Sequence, residues 1–146
     1  MNIQTALQIY PLLKEAKLTK ITSREDKISI IRSLGLMKCE IEKYEEYQEL
    51  GLEKLKKENH EELRQKALVW TEQEKNGKEI TLSLEEQKSL SEYFSAYAKD
   101  VNEYMKQYPQ DIEIIVDKIS EQSFGELIDS NDWTTSQCEL LMGVYI

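Results

Sequence analysis

Apolar side chains recur at helical spacing along two long stretches of this chain. Residues 22–75 read as helix almost without a pause, with steps of 4, 3, 4 and 3 between Ile30, Leu34, Met37, Ile41 and Tyr44. A second stretch has steps of 4, 3, 4, 3 and 4 between Leu90, Phe94, Tyr97, Val101, Tyr104 and Tyr108. Because such steps place apolar side chains on one face of a helix, the pattern predicts two long amphipathic helices with heptad-like seams.

Capping residues predict the ends of the first long helix. Thr22 or Ser23 is placed to accept hydrogen bonds from its first free N–H groups. Farther along, Asn59 is followed three residues later by a glutamate, a pattern that resembles a second helix start. We therefore expect two consecutive helices, 23–57 and 60–76, or a single helix without a break.

Glycine and proline mark further features. The Asn-Gly pair that ends at Gly77 favours a helix end with one residue in the left-handed region. Gly35 and Gly51 lie inside the predicted long helix, where each costs about 1 kcal/mol relative to alanine. They allow a bend or a close helix crossing, or they are simply tolerated. Pro11 lies inside an earlier helical pattern, 3–17, and should kink or restart that helix.

The second long helix, expected over 84–107, is opened by a capping box of Ser83 and Glu86. The fold class is therefore mainly α: an elongated helical bundle with long amphipathic helices and at most a minor two-stranded β element. A length of 146 residues fits a single helical domain. Within it we distinguish a long-helix part, 1–108, from a small acidic C-terminal subregion, 109–146.

The acidic C-terminal subregion has weaker signals. Residues 112–116 are rich in β-branched side chains and fit either a strand or the first turns of a helix. If residues 112–116 form a strand, the one candidate segment for pairing with it is 79–82. Ser120 or Ser123 is expected to cap a short helix, and a last helix is expected over 133–142.

Charge is distributed unevenly along the chain, whose net charge is −9. The balance is +4 up to Lys38, −6 from Cys39 to Lys106, and −7 from Gln107 onward. This is either an ordinary solvated surface or a basic end that meets an acidic end, within the fold or head-to-tail between copies. Because phosphate neutralisation needs a net basic footprint, the acidic balance argues against a nucleic-acid partner.

A basic strip lies across the first predicted connection and contains Lys14, Lys17, Lys20, Arg24 and Lys27. It is either a solvated face or a docking site for an acidic partner, including the acidic subregion of a second copy.

Four tyrosines lie on or beside one face of the second long helix: Tyr93, Tyr97, Tyr104 and Tyr108. Tyrosine gives a large contact area with a polar tip and is enriched at interfaces. The alternative interpretation is intramolecular, with the rings in the bundle seam and the hydroxyls at its rim.

Residues that could carry catalysis do not form a known constellation. The carboxylates Glu42, Glu46, Glu49 and Glu53 follow one helix face, but the Glu-x-x-His pairs of a di-metal bundle are missing. His60 is the one histidine and is far in sequence from Cys39, which argues against a thiol–imidazole pair. We therefore predict no catalytic residue, no metal site, no cofactor and no small-molecule substrate.

Cys39 and Cys138 have no CxxC spacing, and no hydrophobic signal region follows Met1. No stretch approaches the ~18 apolar residues of a membrane span. We expect a cytoplasmic protein with reduced cysteines and no membrane partner.

Two segments, IYPLLKEAKLTKITSREDKISIIRSLGLMK (Ile9 to Lys38) and SFGELIDSNDWTTSQCELL (Ser123 to Leu141), resemble segments of small helical proteins encoded in bacterial genomes and prophages. The spacing of Trp70 and the tyrosines from Tyr93 is similar too. These proteins have no assigned activity. The resemblance implies a standalone helical protein, phage-associated, and supports an assembly or adaptor role.

The patterns together predict a non-enzymatic protein that acts by protein–protein interaction, including self-association. One alternative is an acidic DNA mimic or regulator that occupies a basic site on its partner. An enzyme is the third hypothesis, and the sequence favours it least.

Overall fold

A computed structural model describes all 146 residues and contains six helices and no strand. The mainly α fold class is confirmed, and the minor β element does not form. The helices are α1 (Ile3–Lys14), α2 (Arg24–Lys54), α3 (His60–Lys75), α4 (Leu84–Lys106), α5 (Glu121–Asp129) and α6 (Thr135–Tyr145).

The chain divides into two compact units. Unit 1 contains 1–46 and 109–146, and unit 2 contains 47–108. The predicted acidic C-terminal subregion thus packs with the N-terminal residues in unit 1, while α2 contributes residues to both units. Because α2 ends at Lys54 and α3 begins at His60, the long pattern forms two helices rather than one.

The core of unit 1 is formed by α1, the inner face of α2, α5 and α6. Its fully buried side chains include Ile9, Ile30, Met37, Leu127 and Leu141. These residues come from sequence positions far apart, so the apolar seam of α2 is completed by helices at both ends of the chain. This seam is the one that the sequence predicts.

One polar pair lies at the centre of this core. The Ser33 hydroxyl is hydrogen-bonded to the Tyr145 hydroxyl and donates to the Ile30 carbonyl at 2.6 Å. Both side chains are buried. A buried hydroxyl without a partner would be costly, so the pair ties α6 to α2 in one arrangement.

Residues 112–116 form neither a strand nor a helix. Ile114 donates its N–H to the Met1 carbonyl and accepts from the Met1 amine, each at 2.7 Å. No strand forms at 79–82, so the alternative pairing with that segment is wrong. The β-branched pattern had indicated regular structure, but a contact with the distant N-terminus fixes this backbone instead.

Helix ends agree with the predicted caps in most places. The side chains of Ser83 and Ser120 accept from backbone N–H groups three residues on, and Gly77 has a φ of 63°. Two expectations are wrong. The first helix continues through Pro11 without restarting and ends at Lys14, and the last helix is opened by a capping box at Thr134 instead of beginning at 133.

Candidate interaction surface

The tyrosines of α4 lie in unit 2 and use their polar groups within the chain. Tyr97 donates its hydroxyl to the Leu52 carbonyl at 2.7 Å, and Tyr47 donates to the Tyr104 carbonyl at 2.9 Å. The rings of Tyr47 and Tyr104 stack at 4.4 Å, with Tyr108 edge-on to Tyr47 at 5.2 Å. Desolvation raises the pKa of Tyr47 and of Tyr97. These contacts are those of a packing seam within unit 2.

His60 is buried beside the same helix. Its Nδ1 lies 2.7 Å from the Tyr93 hydroxyl, and its ring is 4.8 Å from that of Tyr97 and 5.7 Å from that of Phe94. His60 is the first residue of α3, and its flanking polar residues indicate an exposed helix start, but the ring is buried. An imidazole that is buried, hydrogen-bonded and ringed by aromatic side chains is satisfied as a packing group.

None of the five basic residues of the predicted strip forms an intramolecular ion pair: Lys14, Lys17, Lys20, Arg24 and Lys27. Lys20 donates its Nζ to the Asp129 carbonyl at 3.5 Å. Lys17 bonds to Asn131 through its backbone, with its N–H donating at 2.8 Å. The charges of this strip are therefore available to a partner.

Acidic and basic segments contact each other within unit 1, but most of these contacts are hydrogen bonds rather than ion pairs. Arg32 and Asp117 lie 3.3 Å apart. In contrast, Asp26 accepts from Ser120, and hydrogen bonds to Ser123 and Ser120 lower the pKa of its carboxyl. Glu126 accepts from the Thr22 N–H at 2.9 Å, which lowers the pKa of Glu126. The N-terminus of α2 is therefore held mainly by hydrogen bonds.

The outer face of α2 in unit 1 carries a second line of apolar and small residues, which we call the outer stripe: Ile28, Ile31, Gly35, Leu36 and Cys39. Ile28, Ile31 and Leu36 are 43%, 58% and 44% exposed, and Cys39 is also exposed. No atom lies within 4 Å of where a Cβ on Gly35 would be. α2 thus presents apolar groups on two opposite faces, and only the inner one is buried.

An open groove of about 630 Å³ borders the outer stripe at its N-terminal end. Arg24, Ile28 and Arg32 line it from α2, and Asp117 and Lys118 line it from the connection before α5. Its lining combines one apolar side chain with charges of both signs. Such a lining suits a protein surface more than a small apolar ligand.

Sequence reasoning missed the outer stripe, although its signal is present. Ile28, Ile31, Gly35 and Cys39 follow one another at steps of 3, 4 and 4, the same kind of spacing as the inner seam. Both faces of one helix carry the pattern, and only tertiary packing decides which is covered.

No helix of the structure is long and apolar enough to cross a membrane. No protein-family model, curated protein or solved structure matches this chain.

Proposed function

We propose that this protein acts by protein–protein interaction, as a cytoplasmic assembly or adaptor protein, and that the outer stripe of α2 is its docking surface. One observation carries the proposal: α2 of unit 1 exposes an apolar face opposite the face that it buries. A surface helix of a folded domain is normally polar on its outer side. Contiguous exposed apolar side chains typically mark an interaction site.

The charges around the stripe support a protein as the occupant. Arg24 and Lys27 flank its N-terminal end without an intramolecular ion pair, and Glu42 and Glu46 are exposed beyond its C-terminal end. An apolar centre with a charged rim is the usual anatomy of a protein interface. The resemblance to small prophage-encoded helical proteins fits an assembly role in a phage-associated setting.

Site-specific photo-crosslinking in cells tests this proposal. A photo-reactive amino acid replaces Ile31 on the stripe or, as the control, Met142 on α6, which is 48% exposed and belongs to the same unit. We expect a discrete protein crosslink, to a second copy or to another protein, from position 31 and none from position 142. Equal crosslinking at both positions, or none at either, would contradict the proposal.

A further inference from the structure

The outer stripe continues beyond Cys39 as a line of carboxylates. Glu42 and Glu46 follow Cys39 at steps of 3 and 4, so they lie on the same face of α2. Both are exposed, and Glu46 forms no ion pair within the chain. The face is therefore apolar in its first half and acidic in its second.

At the other end of the stripe the charge has the opposite sign. Arg24 precedes the first apolar residue, is exposed and has no ion-pair partner in the chain. A helix with a basic start, an apolar centre and an acidic end is complementary to itself when a second copy lies antiparallel. A parallel copy would place like charges together, which is unfavourable.

The residue positions along α2 fit an antiparallel pair of helices that is centred on a single residue, Gly35. Arg24 lies eleven residues before Gly35 and Glu46 lies eleven after it, which is about 16 Å on either side at 1.5 Å per residue. With Gly35 at a two-fold axis, Arg24 of each copy lies opposite Glu46 of the other. In the same register Ile31 lies opposite Cys39, four residues on either side of the axis.

Space at the axis allows the helices to approach closely. Gly35 has no side chain, and nothing within 4 Å occupies the position that its Cβ would take. Each face that would meet is therefore small at the centre, with Ile31 on one side of Gly35 and Cys39 on the other. Two-fold pairing of one self-complementary surface is the commonest form of protein self-association.

From these observations we infer that the occupant of the outer stripe is a second copy of this chain, with the two α2 helices antiparallel about Gly35. The inference rests on the proposed function and names its partner. One helix face from each copy buries less than the roughly 1,200 Å² at the lower limit of standard interfaces. The pair is accordingly a transient one, with a Kd in the micromolar range.

Sedimentation equilibrium of the purified full chain measures the pairing. We expect a monomer–dimer equilibrium that Ile31→Asp weakens at least tenfold and that Met142→Asp, its matched control on α6, leaves within about twofold. Far-UV circular dichroism of each variant verifies that it is folded. A wild-type chain that stays monomeric up to roughly millimolar concentration overturns the inference.

Charge exchange tests the orientation. Arg24→Glu and Glu46→Arg should each weaken the dimer, and the two together should restore it, because the exchanged pair remains complementary across the interface. A double variant no better than the worse single variant would contradict the antiparallel arrangement. Added salt should weaken the wild-type dimer, since exposed charges are screened.

Disulfide crosslinking tests the register. A chain with Ile31→Cys and Cys138→Ser is oxidised with oxidised glutathione, and the linked peptides are identified by mass spectrometry. Antiparallel pairing about Gly35 predicts a disulfide between position 31 of one copy and position 39 of the other. Parallel pairing instead predicts one disulfide between the two copies of position 31 and another between the two copies of position 39. The control variant, Glu45→Cys with Cys138→Ser, places its thiol off the stripe and should remain largely unlinked.

The two proposals fail in different ways. If the chain is monomeric but position 31 crosslinks in cells to a different protein, the second copy is wrong and the docking surface stands. When neither self-association nor a crosslink at position 31 is found, both are overturned.

Discussion

The ring of Tyr104 lies against the backbone of Gly51 in unit 2, in the space that a side chain at residue 51 would need. A Cβ there would lie 2.9 Å from the Tyr104 Cζ and closer still to the ring carbons Cδ1 and Cε1. The ring is not free to move aside, because its other face stacks on Tyr47 at 4.4 Å. Gly51 thus makes room for the Tyr104 ring, whereas Gly35, with open space before it, has no such neighbour within the chain.

The first prediction follows from this contact. Gly51→Ala should destabilise unit 2 by roughly 1–3 kcal/mol, because the added methyl overpacks a site whose neighbour is held by stacking. Urea denaturation at low protein concentration, followed by tyrosine fluorescence, measures the change. Gly35→Ala is the control and should stabilise the chain by up to about 1 kcal/mol, since alanine is the better helix former. Equal effects at the two positions would contradict the packing argument.

The second prediction concerns Asp26 at the start of α2. Hydrogen bonds to Ser123 and Ser120 hold its pKa below the ordinary value of 3.8. The folded state therefore favours the carboxylate, so this contribution to stability is present above pH 3.8 and is lost as the pH falls through the lower folded pKa. Asp26→Asn should cost about 1 kcal/mol at neutral pH and flatten the acid limb of the stability curve.

Glu25→Gln is the control for that experiment. Glu25 lies in the same first turn and shares its interaction with the helix dipole, but it is exposed and forms no hydrogen bond to Ser120 or Ser123. Chemical denaturation of both variants between pH 3 and pH 7 makes the comparison. An acid limb that Asp26→Asn leaves unchanged would be incompatible with the assignment.

The third prediction concerns Tyr145, whose pKa is raised by desolvation, with an opposing effect from its hydrogen bond to Ser33. Since the folded state favours the neutral phenol, stability is fully present below the unfolded value of 10.0 and is lost as the pH rises above it. Tyr145→Phe should cost roughly 1 kcal/mol at neutral pH and reduce the alkaline loss. Thermal unfolding from pH 8 to pH 11 measures it. Tyr10→Phe, at a half-buried residue of α1, is the control for the loss of a tyrosine hydroxyl.

The fourth prediction is a titration. Hydrogen bonds from Arg64 and then Gln65 lower the pKa of the Glu61 carboxyl from 4.5 to about 2. Arg64→Gln should return that pKa most of the way to 4.5, as followed by the carboxyl carbon shift in NMR. Lys66→Gln on the same helix should leave it unchanged. A Glu61 carboxyl that titrates near 4.5 in the wild type would refute the Arg64 contact.

Features fixed by neighbouring residues could be predicted from the sequence. The cap at Ser83 and the left-handed Gly77 follow from short-range hydrogen bonding and φ preferences. A helix start was also expected after Asn59, and α3 does begin at His60, although the Asn59 side chain forms no cap hydrogen bond. The inner seam of α2 could also be predicted, because a helix that buries one face needs apolar residues at steps of three and four. In each case the deciding interaction lies within a few residues of the signal.

Other features depend on contacts between distant residues. The backbone of Ile114, in the irregular segment 112–116, is held by Met1, a partner 113 residues away, and no local pattern indicates this contact. Pro11 was expected to kink or restart α1. The helix does not restart there but runs through Pro11 and ends one turn later, because a proline removes only one hydrogen bond near a helix end. The spacing of the tyrosines predicted the packing seam of α4. It did not predict which groups accept hydrogen bonds from their hydroxyls, because the position of an acceptor such as the Leu52 carbonyl depends on the path of the chain.

The bond between Ser33 and Tyr145 joins residues 112 positions apart, whereas unit 2 is a continuous segment of the chain. On the ribosome, unit 2 leaves the exit tunnel ahead of α5 and α6, which follow it in sequence. Its contacts can therefore begin to assemble during translation, while the inner face of α2 lacks the helices that are still inside the tunnel. That interval is when a nascent chain of this design is most open to capture by chaperones or to premature association.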